Sequence, residues 1–116
     1  MSRAPVDRLH DIVHSSHLAI RHARAFATGS ADADAFRDAT LFRIAVVCEA
    51  ASHLPPEVQA LASEIPWLEI RGMRNYIVHS YWQIDFSIVV DTIEKDLAPL
   101  LAAVERLLPL AGRSES

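Results

Sequence analysis

Apolar residues recur at steps of three and four along most of the chain, the period of a helix with one buried face. The steadiest run is the last: Phe86, Val89, Val90, Ile93, Leu97, Leu100, Leu101, Val104, Leu107 and Leu108. Asp85 precedes it as an N-cap, and Ile84 before the cap can staple onto Val89. Pro99 falls inside the run, removes a ladder hydrogen bond and predicts a kink. A first helix is predicted from about Pro5 to Thr28, with Leu9, Ile12, Val13, Ser16, Ile20, Ala23 and Ala27 on one stripe. Gly29-Ser30 ends it. A second runs from about Asp34 to Leu54, with Phe36, Leu41, Ile44, Val47, Cys48, Ala51 and Leu54 inward, and Pro55-Pro56 stops it. A short helix is predicted from Glu57 to Ser63, and a third main helix from near Pro66 to about Ser80.

Short connections between long amphipathic helices give antiparallel neighbours. The expected fold is all-α: an up-and-down bundle of four main helices plus a short one, with 1–112 as a single domain and 113–116 as a frayed tail. The last helix is apolar over a wide arc, which points to a two-fold homodimer, although a monomer core can also absorb such a face. At 116 residues the chain can bury a core that needs no disulfide or metal. Alanine and leucine dominate and there are only three glycines, which favours helices over a sheet.

Net charge is −4, which does not support a DNA-coating role, and any RNA contact must be local. Lys95 is the only lysine, and arginines supply the remaining basic charge. The single cysteine, Cys48, sits in an apolar run and reads as a buried small hydrophobe. The N-terminus lacks the apolar core of a signal peptide, and no apolar run is long enough for a bilayer. A cytoplasmic protein without membrane contact is expected.

The chemistry concentrates in Arg71-Gly-Met-Arg-Asn-Tyr-Ile-Val-His-Ser-Tyr-Trp82. Cleaving RNA without a metal requires a proton carrier near neutral pH and a cation for the phosphate. His79 suits the first role and Arg74, with its planar fork, the second. Asn75 lies one helical turn before His79 and can orient it or touch the phosphate. Arg74 and His79 lie roughly 140° apart around a helix. Within one chain they flank a ridge, and across a two-fold axis they can complete one composite site. Such residues also commonly cap helix ends or close core edges.

The spacing of Arg74, His79 and Tyr81 resembles the R-x4-H-x-Y signature of HepT-like HEPN-domain ribonuclease toxins. Further likeness lies in Arg8-Leu9, Asp11-Ile12, Glu49-Ala-Ala51, Ile65-Pro-Trp67, Ile70, Gly72-Met-Arg-Asn75, Val78-His79, Tyr81-Trp82, Asp85, Asp96-Leu97 and Pro99. Cys48, Ser80 and Val90 depart from residues frequent in the family. The resemblance implies a helical HEPN homodimer and metal-independent RNA cleavage by Arg74 and His79, with no cofactor. A 2′,3′-cyclic phosphate is the product expected of 2′-hydroxyl attack. The resemblance also implies a toxin–antitoxin pair, in which a minimal nucleotidyltransferase antitoxin silences the toxin by adding AMP to Tyr81. The alternative is a non-catalytic helical module that docks the nucleotidyltransferase.

Other features carry less. Glu49, inside an apolar helix, needs a partner if buried, and Arg74, His79 or a backbone cap can supply one; it is a candidate supporting residue. Arg71 can extend a small basic patch toward RNA or the partner. His10, His14 and His17 share one side of the first helix, and three imidazoles can take a transition metal, but the stripe reads as a solvated or partner-facing flank and no metal is expected. Trp67 is expected to anchor the bundle.

Overall fold

A computed structural model describes residues 4–29 and 32–114, with 111–114 as backbone. Among the described residues every regular element is a helix or helical turn. Helix α1 (Pro5–Ala27) starts on a proline, whose fixed φ suits a first turn and whose missing N–H would have had no partner there. It ends where the Thr28 N–H donates to the Ala25 carbonyl and the Gly29 N–H to that of Phe26. Gly29 adopts φ 72°, a left-handed conformation that only glycine takes without strain. Ser30, the other half of the expected stop, lies outside the described residues.

Helix α2 (Ala33–Ser52) closes just before Pro55-Pro56. The short helix is α3 (Pro56–Gln59), continued by a 3₁₀ turn, Ala60–Ala62. Helix α4 (Trp67–Ser80) carries the motif and passes into a second 3₁₀ turn, Tyr81–Gln83. The Trp67 indole N–H donates to the carbonyls of Gln59 and Ala62, 3.1 Å to each, and so fastens the start of α4 to the turn before it.

The last run begins as α5 (Phe86–Thr92), capped at Asp85, whose carboxylate accepts from the Ser87 N–H at 3.0 Å. Ile84 and Val89 are both buried, as a staple requires. The expected disturbance at Pro99 takes the form of a π-turn, Ile93–Leu97, just before α6 (Ala98–Ser114). Pro99 cannot donate to the carbonyl one turn back, and widening the ladder ahead of it absorbs the lost bond. From Phe86 to Ser114 the rod is roughly 43 Å long at 1.5 Å per residue, which accounts for the 47 Å long axis of the protein. The stretch expected to fray thus begins at the end of α6, and residues 115–116 lie outside the described residues.

Helix α1 packs most extensively on α2; α4 covers another flank of α2, and α6 lies against α1. Leu9, Ile12, Leu41, Val89, Val104 and Leu107 are sealed from solvent at the centre. On α1 the buried face is rotated from the predicted stripe. Val13 and Ile20 are half-buried and Ala27 is exposed, whereas Ser15 and Ala19 join the predicted Ser16 among the buried residues. Together with Thr40, Ala50 and Ala51 on α2, these small side chains suit a close approach of the two helices. Helix α4 hardly touches α5 or α6. Between them lies an apolar cavity of about 110 Å³, lined in part by Ile44, Cys48, Ile70, Met73, Ile93 and Leu97. Among the described residues no helix is long and apolar enough to cross a membrane.

Candidate active site

The motif helix is fastened to α2 at two points. Toward the end of α2, Arg74 Nε lies 2.9 Å from Glu49 Oε2, and Arg74 Nη1 donates to Asn75 Oδ1 at 3.3 Å. The second Glu49 oxygen lies 3.4 Å from His53 Nδ1. Toward the start of α2, the Tyr81 hydroxyl donates to Asp38 Oδ1 at 2.8 Å. Arg37 donates to the Tyr81 carbonyl at 3.4 Å, and its guanidinium carbon sits 5.7 Å from the Tyr81 ring centre. Arg37 also bonds Asp38 Oδ1 at 3.3 Å. The two fastenings require α4 to run antiparallel to α2, and they are spaced by the roughly 16 Å that separates positions 38 and 49 along a helix.

The Arg74–Glu49 pair stands between two shallow clefts. One, of about 350 Å³, is lined by Glu49, Ser52, His53, Arg71, Arg74 and Asn75. The other, of about 340 Å³, opens toward α1, which contributes Arg8 and Asp11, and is walled by Phe42 and Val78. A guanidinium here can reach an anion entering from either side. Nε is taken by Glu49 and Nη1 by Asn75, so the plane of the fork is set before any phosphate arrives.

His79 stands apart from this pair. It is exposed in the last turn of α4 and lines neither cleft. Among the described residues no hydrogen bond joins it to Asn75, whose oxygen serves Arg74 instead. Leu68, Arg71, Asn75, Val78, His79 and Trp82 are all exposed along the outer side of the segment. Trp82 is 91% exposed and meets the Tyr81 ring edge-on, with centres 5.4 Å apart. One chain therefore offers Arg74 and His79 in different directions, as their angular separation predicted.

All of this geometry except Arg8 and Asp11 sits within residues 17–107, the stretch that matches the sequence profile of the family described as ribonuclease HepT-like. The chain belongs to the HepT-like ribonuclease family. Among its relatives is one from Thermococcus cleftensis named "Probable ribonuclease HepT", 27% identical over 108 residues that span 92% of this chain and 98% of the relative. Another, named "Putative RNase", from Caldanaerobacter subterraneus subsp. tengcongensis, is 35% identical over 63 residues, 54% of this chain. That match spans 56% of the relative, little more than half its length. No solved structure gives a significant match.

In this HepT-like chain the candidate residues fall into two groups. Arg74, Glu49, Asn75 and Arg71 gather at the clefts, while His79 lies on the outer side of α4 and Tyr81 beyond its end. Three residues near them were missed: His53, Arg37 and Asp38. His53 was within reach, since it lies one turn after Glu49 on the same helix. Arg37 and Asp38 meet Tyr81 across more than forty positions, a pairing that no local spacing signals. Tyr81's phenol is pushed above its ordinary value, first by burial and then by the Asp38 hydrogen bond and charge, with Arg37 opposing. Burial pushes the Cys48 thiol up to about 12. His10, His14 and His17 are exposed, and among the described residues no group of three or more His, Cys, Asp or Glu is placed to hold a metal.

Proposed function

We propose that the protein is the toxin of a toxin–antitoxin pair, an endoribonuclease that cleaves RNA without a metal. Two copies form the site. Arg74 grips the scissile phosphate and neutralises the charge that grows on it, while the second copy's His79 moves the protons. The ribose 2′-oxygen attacks phosphorus and the 5′-oxygen leaves, giving a 2′,3′-cyclic phosphate and a 5′-hydroxyl. A minimal nucleotidyltransferase silences the toxin by transferring AMP to Tyr81, which places bulk and negative charge where RNA would bind.

The observation that carries the reading is the fixed guanidinium of Arg74 at the junction of two clefts, with His79 exposed on the outer side of the same helix. Two-fold pairing resolves their divergence, because each chain can supply the group the other faces away from. Exposed Leu68, Val78 and Trp82 on the same outer side give that pairing an apolar surface.

The test is cleavage of end-labelled RNA in EDTA by unmodified protein, beside Arg74→Ala and His79→Ala. Cleavage by wild type alone, leaving a cyclic phosphate, is the expected result. Products ending in 3′-hydroxyl and 5′-phosphate refute the mechanism. A folded, unmodified dimer that cleaves no RNA points to a non-catalytic module that docks the transferase.

A further inference from the structure

We infer that Asp38 is the base that activates Tyr81 for modification, so that the toxin chain supplies part of the chemistry of its own silencing. The inference rests on the reading of Tyr81 as the adenylyl acceptor. Its own basis is geometric. Asp38 Oδ1 accepts a hydrogen bond from the Tyr81 hydroxyl at 2.8 Å, within the reach required of a general base. The Asp38 side chain is 59% exposed, so a proton it collects can pass directly to water.

Arg37 completes the arrangement. It holds Asp38 through Oδ1, caps the Tyr81 ring and binds the Tyr81 carbonyl. The acceptor oxygen thus has a carboxylate on its hydrogen and a guanidinium beside its ring. Tyr76 provides the contrast. It packs half-buried against the core, and among the described residues no hydrogen bond joins its hydroxyl to a carboxylate. The pairing with Asp38 therefore distinguishes which of the two tyrosines is primed.

The step balances as follows. With ATP and Mg²⁺ on the transferase, Tyr81 Oη forms a bond to the α-phosphorus. The bond from that phosphorus to the bridging oxygen of the β-phosphate breaks, and pyrophosphate leaves with the electron pair. The hydroxyl proton moves to Asp38 as the new bond forms, because a free phenolate beside this carboxylate is unfavourable. Afterwards the Arg37 guanidinium faces the new phosphodiester charge.

The experiment is transfer of radiolabelled AMP from ATP to the purified full chain by a purified minimal nucleotidyltransferase of the proposed antitoxin class, with Tyr81→Phe defining the label at that residue. Asp38→Asn keeps a hydrogen-bonding side chain but cannot take the proton, and it should slow labelling about 100-fold at neutral pH. Raising the pH should recover the Asp38→Asn rate as Tyr81 ionises unaided, and Asp38→Glu should recover part of it at neutral pH. Equal labelling of wild type and a folded Asp38→Asn overturns the base while leaving Tyr81 as acceptor. A slowed Asp38→Asn that does not recover with pH also overturns it, since that reveals positioning alone. Label that persists in Tyr81→Phe overturns the acceptor reading itself.

Discussion

Glu49→Ala tests whether the site is built around a pre-aimed arginine. The substitution removes the carboxylate held 2.9 Å from Arg74 Nε. The two side chains are 37% and 46% exposed, so water screens the pair and its loss should cost folding less than about 1 kcal/mol. For a chain of this size that is a fall in Tm of under about 8 °C. The effect on turnover should be larger. Arg74 would keep only the 3.3 Å contact to Asn75, and its fork would no longer be fixed. A single oriented donor on a growing oxyanion supplies about 10²–10³ in rate, and a misaimed one should forfeit roughly tenfold of that. Glu49 also competes with RNA for the guanidinium, so KM should not rise when it is removed. Glu49→Gln keeps an acceptor oxygen and should recover most of kcat. Initial rates across RNA concentrations in EDTA, beside thermal melts, give both numbers. An unchanged kcat with a raised KM refutes the orienting role. A Tm drop beyond about 15 °C makes Glu49 a folding element instead.

Further outcomes follow from other parts of the structure. Among the described residues the buried Ser16 hydroxyl has no hydrogen-bond partner, so Ser16→Ala should raise stability by about 1 kcal/mol in a thermal or urea melt; a loss of that size would mean the hydroxyl is satisfied. Cys48, with its thiol pushed up to about 12 by burial, should resist a disulfide-exchange reagent at neutral pH until the protein is unfolded, and rapid reaction of the native protein would contradict the packing. Tyr81 is raised above 10.0, so its contribution to stability is complete below that pH and is lost as pH climbs through the folded value. Asp38→Asn should bring the Tyr81 titration, followed by phenolate absorbance, to lower pH; an unmoved titration would separate the two residues.

The helices were legible because their limits are written in local chemistry. Pro5, Gly29, Pro55-Pro56 and Asp85 each act within a turn of where they stand, and the observed ends fall within a few residues of those marks. The inner face of α1 was less legible. Periodicity gives weight to large apolar side chains, whereas Ser15 and Ala19 are buried because small residues suit close helix packing. Pro99 announced a disturbance but not its form, since a kink and a π-turn both relieve the same missing N–H. Within the site, the angular divergence of Arg74 and His79 followed from helix geometry alone. The partners Asp38 and Arg37 did not, and neither did the Arg106–Glu64 pair at 2.7 Å, because contacts across some forty positions are set by how helices dock.

The two tryptophans sit in opposite surroundings. Trp67 is half-buried with its indole N–H shared between two carbonyls, whereas Trp82 projects into solvent at the end of the motif helix. The native protein therefore carries two built-in fluorophores, one reporting on the folded interior and the other on whatever covers the motif. Emission from a Trp67→Phe variant would come from Trp82 alone. A blue shift with rising protein concentration would time the pairing of two copies, and a shift on adding RNA or transferase would time their arrival, all without a label.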